Sequence, residues 1–218
     1  MDSQNDKKAR SRRQFLTAAG ASAAAATFGT VTLNTEEAAA QSFDAEYDIV
    51  VCGGGGAGLP TALFARWLGN KVIVLEKAAT LGGTSFKAAY WYWVPNNAAM
   101  KKAGIPDSKE HFLKYVARLT QPQYFDANHP RYGLTEWEFS MCEAIYDSSS
   151  VGTELLSEKG ALPYRHVAPV PDYFAELPED KAPKGRVLVP LEAASSMSDG
   201  GRVAIRTLSA KARAEGIA

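Results

Sequence analysis

Apolar and polar residues follow one another, from residue 47 onwards, in an order that predicts a strand, a helix and a second strand. Residues 47–52 form a short, almost wholly apolar run, typical of a strand buried on both faces in a parallel sheet. Apolar residues then recur at helical spacing over residues 57–68, and Gly69 with Asn70 predicts the end of this helix. Residues 71–76 are the second apolar run. Together these segments predict one β–α–β unit, which indicates an α/β fold.

The next part of the chain, residues 98–160, is predicted to be a helical excursion from the sheet. Asp107 and Thr135, each followed three residues later by a glutamate, predict the starts of two helices through capping boxes. A third helix is predicted over about residues 150–159, ending at Gly160. We expect the apolar faces of these helices to be core.

The last part of the chain is predicted to consist of loops followed by one helix. Residues 161–190 are rich in proline, which predicts loops. Arg165 and Arg186 lie in this stretch, and each is interpreted either as a surface charge or as a group that binds a substrate carboxylate. The final helix is predicted over about residues 201–215, with Gly216 directly after it.

Composition and charge narrow the range of functions. The formal net charge of the 218 residues is zero, so a nucleic-acid partner is not expected. The two cysteines, Cys52 and Cys142, cannot build a disulfide framework, and we expect both to be buried thiols. The three histidines show no metal-ligand spacing among themselves or with the cysteines, so no metal site is predicted.

The first forty residues are predicted to be an export signal, with residues 41–218 as the mature protein. A pair of arginines, Arg12 and Arg13, is followed by a weakly apolar stretch over residues 15–33 and by three alanines just before Gln41. This order is typical of a signal peptide, and the arginine pair indicates the twin-arginine (Tat) route to the periplasm. The alternatives are a disordered tail and a retained membrane anchor; after cleavage, no stable membrane insertion is expected.

The turn between the first strand and the helix carries a Gly-x-Gly-x-x-Gly motif at Gly53, Gly55 and Gly58. In a β–α–β unit this motif predicts a dinucleotide site, because the three glycines permit a tight turn, close approach of a pyrophosphate, and close packing of helix on strand. The phosphates then lie at the helix N-terminus, where free N–H groups and the dipole favour negative charge. Glu76, at the end of the second strand, can accept from ribose hydroxyls, and its charge disfavours the 2′-phosphate of NADP.

A second glycine-containing loop, Gly82-Gly83-Thr84-Ser85, follows shortly after. With the glycine turn and the Glu-Lys strand end, it resembles the flavoprotein family of fumarate reductase flavoprotein subunits, soluble flavocytochrome fumarate reductases and ketosteroid dehydrogenases. The resemblance spans about residues 46–97, and Trp-Val-Pro-Asn-Asn at 93–97 is similar to the ketosteroid dehydrogenase branch. It implies a doubly wound, Rossmann-like FAD-binding domain, incomplete here, with FAD as cofactor. The residues that it implies at the FAD are Gly53, Gly54, Gly55, Gly56, Ala57, Gly58, Glu76, Lys77, Gly82, Gly83, Thr84 and Ser85.

The resemblance also implies a flavin-dependent dehydrogenase or reductase that acts on a CH–CH bond next to a carbonyl or carboxylate. A steroid- or fumarate-like small molecule would exchange a hydride with flavin N5. We expect the catalytic acid or base to lie beyond Ala218, and the chain to be the first part of a family member that by itself binds FAD weakly or not at all and is inactive. The alternative is a non-catalytic flavin-binding subunit with a separate electron-transfer partner, since the chain has no Cys-x-x-Cys-His haem motif.

One stretch departs from the family pattern. Between the second glycine loop and the Trp-Val-Pro-Asn-Asn segment, the family commonly has a serine and a run of glycines. This chain instead has two alanines and four aromatic residues over 88–93. Two interpretations remain open: a strand whose alternate aromatic side chains fill the core, or a segment in which Tyr90 or Tyr92 lines the flavin and substrate cavity.

Overall fold

The computed structural model describes residues 43–194 and 198–218, so the predicted signal peptide at residues 1–40 lies outside the described residues. The described part is a mixture of helices and short strands, which confirms the predicted α/β fold class. In chain order its elements are β1 (Ile49–Cys52), α1 (Gly58–Trp67), β2 (Val72–Leu75), α2 (Gly83–Lys87), β3 (Tyr92–Trp93), α3 (Ala98–Lys102), α4 (Lys109–Thr120), α5 (Glu136–Glu158), β4 (Tyr164–His166), β5 (Val187–Pro190) and α6 (Gly200–Ala214).

The predicted β–α–β unit is present. β1 and β2 pair in parallel, from Ile49 opposite Val72 to Cys52 opposite Leu75. α1 connects the two strands and packs on one face of the pair. The buried residues of this contact are Val51, Ala62, Ala65 and Val72. The glycine turn therefore lies where the parallel strand β1 ends and a helix begins, which is the usual position of a ligand site in such folds.

The other face of the strand pair is not covered within the described part of the chain, so the prediction of strands buried on both faces is wrong. Val50 and Leu75 are 53% and 51% exposed, and Cys52 is exposed as well. The reason is that alternate residues of a strand point to opposite faces, and α1 covers only one of them. Cys52 is thus an exposed thiol, against prediction, whereas Cys142 is buried as predicted.

The last helix, α6, packs on α1 and returns the chain to the parallel strands. It matches the predicted helix, and Gly216 follows it with a φ of 74°, a conformation that favours glycine. Ala218 then lies beside β2, where its N–H donates to the carbonyl of Val72 (3.3 Å) and its carbonyl accepts from the N–H of Val74 (2.8 Å). The main core cluster is Leu59, Leu63, Leu156, Ala161, Leu162, Ala204, Ile205, Leu208 and Ala212.

The helical excursion differs from the prediction at one start and at one boundary. α4 is capped by Ser108, whose hydroxyl accepts from the N–H of His111 (3.3 Å), so Asp107 is not the capping residue. The capping box of Thr135 is confirmed, and it opens a helix of 23 residues. The second and third predicted helices are therefore one, α5. Serine and glycine in its middle lower helix propensity without breaking the helix, since no proline intervenes.

The proline-rich stretch 161–190 is not all loop. β4 and β5 pair in an antiparallel sheet with the order β3–β5–β4, in which β5 is the central strand. All four residues of β5 are buried. The prolines lie outside the ladder except Pro190 at the end of β5, so they do not prevent strand pairing.

Arg186 lies directly before β5, and its side chain is completely buried. The guanidinium donates to both carboxylate oxygens of Asp107 (2.9 and 2.8 Å), to Asp180 (3.0 Å) and to Asp172. Two aromatic rings flank it, with centroids 5.0 and 5.5 Å from the guanidinium carbon: those of Trp93 and Tyr115. Both interpretations of Arg186 are therefore wrong, because it is neither a surface charge nor accessible to a substrate. Arg165, in β4, donates to the carbonyl of Ala193 (3.4 Å).

The charge balance of this buried cluster depends on Arg186. Burial by itself would lower the pKa of Arg186, but the hydrogen bonds and charge of Asp107, with the charges of Asp172 and Asp180, raise it above its ordinary value. Burial raises the pKa of Asp180, and the charge of Arg186 lowers it only in part. The second carboxylate oxygen of Asp180 is buried and has no hydrogen-bond partner among the described residues.

No helix within residues 43–194 and 198–218 is long and apolar enough to span a membrane. The same residues contain no group of three or more histidine, cysteine, aspartate or glutamate side chains arranged to hold a metal ion.

Candidate cofactor-binding site

Two of the motif glycines have structural roles in the turn from β1 to α1. Gly53 has a φ of 100°, which glycine adopts without strain, and its N–H donates to the carbonyl of Leu75 (2.7 Å). A Cβ at Gly58 would lie 3.0 Å from the carbonyl carbon of Gly53 and still closer to its oxygen. No other residue fits at Gly58 without moving α1 away from β1. These are the roles that the sequence motif predicted for the two positions.

The turn also offers free hydrogen-bond donors. The N–H groups of Gly55 and Ala57 make no hydrogen bond within the described part of the chain. Ala57 is the N-terminal capping residue of α1, so its N–H belongs to the unpaired donors of a helix N-terminus, where the dipole adds positive potential; Gly55 lies two residues before it. A Cβ at Gly55 would have only ordinary contacts, 3.7 Å from the carbonyl oxygen of Gly82 and 3.8 Å from Ser85 Oγ. A methyl group therefore fits at Gly55, beside the second glycine loop.

Glu76, just after β2, fixes the glycine turn from the other strand. One carboxylate oxygen accepts from the N–H of Gly54 and the other from the N–H of Ala78, both at 2.9 Å. These backbone hydrogen bonds lower the pKa of Glu76, and the bond from Ala78 has a larger effect than the bond from Gly54. The side chain is therefore a carboxylate held beside the turn. Each of its oxygens can still accept a further hydrogen bond.

The second glycine loop packs directly against the first. The N–H of Gly82 donates to the carbonyl of Gly54 (2.9 Å), and Ser85 Oγ accepts from the N–H of Gly56 (3.1 Å). Gly82 has a φ of 111°, and a Cβ there would lie 3.0 Å from the Cγ2 of Ile205, so α6 approaches it closely. The structure thus brings the glycine turn, Glu76, Gly82 and Ser85 together. The remaining predicted residues of these loops are exposed: Lys77, Gly83 and Thr84.

The aromatic stretch divides between core and site. β3 contains only Tyr92 and Trp93, so a long strand of alternating aromatics is not formed. Tyr92 packs against the main core cluster, and Trp93 stacks on Phe112. Tyr90 also packs against the main core cluster, but its hydroxyl reaches the glycine turn, 3.0 Å from the position that a Cβ on Gly56 would take.

Sequence reasoning missed one contact that shapes the site. α6 begins with Gly200 and Gly201, and the N–H of Gly201 donates to the carbonyl of Ala88 (2.9 Å). A Cβ at Gly201 would lie 2.6 Å from that carbonyl oxygen, so only glycine permits this approach. The helix start was predicted near this point, but a glycine pair in a sequence does not reveal which backbone it approaches.

Comparison with known proteins agrees with this geometry. Residues 48–141 match the family model described as FAD binding domain. The 3-oxosteroid 1-dehydrogenase of Mycobacterium tuberculosis is 36% identical over 86 residues, which are 38% of this chain and 15% of that protein. The 3-ketosteroid Δ1-dehydrogenase structure from Sterolibacterium denitrificans aligns with a TM-score of 0.62 and 20% identity over 78% of this chain and 39% of that chain. The structure of a flavocytochrome c3 fumarate reductase in its open conformation aligns with a TM-score of 0.58 and 20% identity. That alignment covers 100% of this chain and 30% of the fumarate reductase chain.

A β–α–β unit whose glycine turn leaves amides free at a helix N-terminus places this chain among the dinucleotide-binding α/β proteins. The matched family narrows the class: residues 48–141 match an FAD binding domain, and the cofactor is FAD. The predicted cofactor is thereby confirmed. The chain spans only 15% of the length of the first relative and 39% of the first structure.

The residues present fit the pyrophosphate of this cofactor. A Cβ at Gly55 would have only ordinary contacts, and the two free donors at Gly55 and Ala57 are suited to an anionic ligand. The carboxylate of Glu76, next to the turn, fits a ligand with hydroxyl groups.

Proposed function

We propose that this chain is the FAD-binding part of an exported flavin-dependent oxidoreductase that acts on a CH–CH bond next to a carbonyl or a carboxylate. The observation that carries the proposal is the pair of free N–H groups at Gly55 and Ala57, in the turn that leads into α1. The reaction class is supported by the names of the similar proteins, which are dehydrogenases of 3-oxosteroids and a fumarate reductase. A steroid- or fumarate-like small molecule is the substrate class that these names favour.

Each part of the site has an assigned role in this proposal. The N–H groups of Gly55 and Ala57 bind the pyrophosphate, and Gly54 and Gly56 hold the turn that presents them. Glu76 accepts hydrogen bonds from the adenosine ribose, using lone pairs that Gly54 and Ala78 leave free. The ribityl side is bound by Lys77, Gly82, Gly83, Thr84 and Ser85. When bound, FAD supplies a ring system that exchanges a hydride with a substrate carbon.

Replacing Gly55 by valine is expected to remove FAD binding while leaving the fold intact. A Cβ at Gly55 has only ordinary contacts within the protein, and the branched valine side chain would occupy the space assigned to the pyrophosphate. Losing hydrogen bonds to a charged phosphate should weaken FAD binding about 100-fold or more. Flavin absorbance of the purified full-length protein and titration with FAD measure the loss, and circular dichroism should be unchanged.

Gly55→Ala is the graded control, because a single methyl group should weaken binding less than the valine side chain does. Full flavin content in the valine variant would show that the phosphate site has been misplaced. The full-length wild type also tests the reaction class. Anaerobic bleaching of its flavin spectrum by a 3-oxosteroid supports the enzyme, whereas bleaching by a redox partner alone supports an electron-transfer subunit.

Export is proposed from the N-terminal sequence, in which Arg12 and Arg13 precede a weakly apolar stretch and an alanine triplet. In this proposal the Tat pathway delivers the protein to the periplasm, and the mature chain begins near Gln41.

Replacing Arg12 and Arg13 by lysine should trap the precursor in the cytoplasm, since the Tat route depends on the arginine pair. Cell fractionation and immunoblotting measure the distribution. Arg10→Lys is a matched control, because it changes a neighbouring arginine outside the pair and should leave export unchanged. Unaltered export of the paired variant, or export in a host that lacks Tat, would refute the assignment.

A further inference from the structure

Tyr90 is held in a conformation that tyrosine rarely adopts. Its φ is 55°, in the left-handed region that normally favours glycine. The start of α6 packs closely against this segment: the N–H of Gly201 donates to the carbonyl of Ala88, and a Cβ on Gly200 would lie 3.3 Å from the Cβ of Tyr90. Such strain persists where the surroundings over-determine it, often at ligand sites.

This conformation directs the Tyr90 ring to the glycine turn. A Cβ on Gly56 would lie 3.0 Å from the Tyr90 hydroxyl and 2.9 Å from Ser85 Oγ, so the two hydroxyls flank the same point. Ser85 Oγ accepts from the N–H of Gly56. The Tyr90 hydroxyl, by contrast, makes no hydrogen bond with any of the described residues. It is a free donor next to the free N–H groups of Gly55 and Ala57.

Tyr92 packs against the same core cluster as Tyr90, but its hydroxyl does not reach the glycine turn. Its ring meets that of Tyr90 edge to face, with centroids 5.9 Å apart. The Tyr92 hydroxyl is buried and has no partner among the described residues. Burial raises the pKa of both tyrosines, so both hydroxyls keep their protons at neutral pH. Tyr92 therefore supports the Tyr90 ring from the core, and Tyr90 alone presents a hydroxyl at the site.

We propose that Tyr90 is a further cofactor-binding residue, whose hydroxyl donates a hydrogen bond to a phosphate oxygen of bound FAD. This rests on the proposed phosphate site and extends it: the pyrophosphate is bound between the backbone amides of the turn on one side and the side-chain hydroxyl of Tyr90 on the other. The aromatic stretch thus contributes a binding group where the similar family commonly has glycines.

The test replaces Tyr90 by phenylalanine, which keeps the ring and removes the donor. Titration calorimetry with ADP, FAD and adenosine then separates the possible contacts, because only the first two contain the pyrophosphate. We expect Tyr90→Phe to weaken both ADP and FAD binding by about tenfold, the effect of one hydrogen bond to a charged group, and to leave adenosine binding unchanged. Tyr92→Phe is the matched control, and we expect no change in any of the three affinities.

The outcomes are distinguishable. Unchanged ADP and FAD affinities in Tyr90→Phe, with a wild type that binds both, would overturn the role of Tyr90 and leave the proposed function standing. A loss for FAD but not for ADP would also overturn it, since the contact would then be to the flavin half of the cofactor. A wild type that binds neither ligand would overturn the proposed function and this assignment with it.

Discussion

Gly58→Ala is expected to destabilise the whole nucleotide-binding unit, because the added methyl group has no space. A Cβ at this position lies 3.0 Å from the carbonyl carbon of Gly53, closer to its oxygen, and 3.4 Å from Val51 Cγ1. All three neighbours belong to the strand β1 or the turn, so relief requires that α1 move away from β1. We expect a loss of about 3 kcal/mol in the free energy of unfolding, which lowers the melting temperature by roughly 10 °C. Thermal melts followed by circular dichroism measure it, and bound flavin should be lost in parallel.

Gly152→Ala is the control for this variant. Gly152 lies inside α5, where a Cβ would meet only Phe64 Cζ at an ordinary 3.6 Å. Alanine favours a helix interior over glycine, so a gain of about 0.5–1 kcal/mol is expected. If Gly58→Ala melted at the wild-type temperature, the close approach of helix and strand at the turn would not be required for stability.

Arg186→Met is expected to cost about 3–5 kcal/mol of unfolding free energy at neutral pH, because it leaves buried carboxylates without their cation. Asp107, Asp172 and Asp180 all accept hydrogen bonds from this one guanidinium. Methionine keeps much of the volume, so the loss is mainly one of charge compensation. Denaturant unfolding measures it, and Arg202→Met, an exposed position on α6, should have little effect.

The loss of unfolding free energy caused by Arg186→Met should become smaller as the pH falls. Burial raises the pKa of Asp180 in the folded protein, so ionisation of this group opposes folding. Stability is lost as the pH rises from the ordinary value near 4 through the raised pKa. Arg186 lowers this pKa, and without it the same loss extends to higher pH. If the difference in unfolding free energy between the wild type and Arg186→Met stayed constant between pH 5 and pH 8, the charge-based explanation would be contradicted.

The features that sequence reasoning predicted correctly depend on local chemistry. The glycine turn, the capping box at Thr135 and the glycine after α6 each involve residues within a few positions of one another. The same holds for the β–α–β unit, in which one helix connects two adjacent strands. Such features follow from backbone geometry that a short sequence specifies by itself.

The features that it missed depend on partners far apart in the sequence. Arg186 binds Asp107, 79 residues away, and nothing near either residue indicates the pairing. β5 gains its burial from β3 and β4, whose few residues give no strand pattern alone. Tyr90 is a third case: its left-handed backbone results from contact with the start of α6, about 110 residues later along the chain.

The hydrogen bonds between the two glycine loops have a consequence for how a ligand binds. Gly54 is hydrogen-bonded to Glu76 and to Gly82, and Gly56 is hydrogen-bonded to Ser85, all within the chain itself. A glycine-rich segment would otherwise sample many backbone conformations, and ordering it would cost about 1–2 kcal/mol per residue. In this protein the turn is preorganised, so dinucleotide binding immobilises little additional backbone. The free energy of the phosphate contacts therefore contributes to affinity with only a small entropic offset.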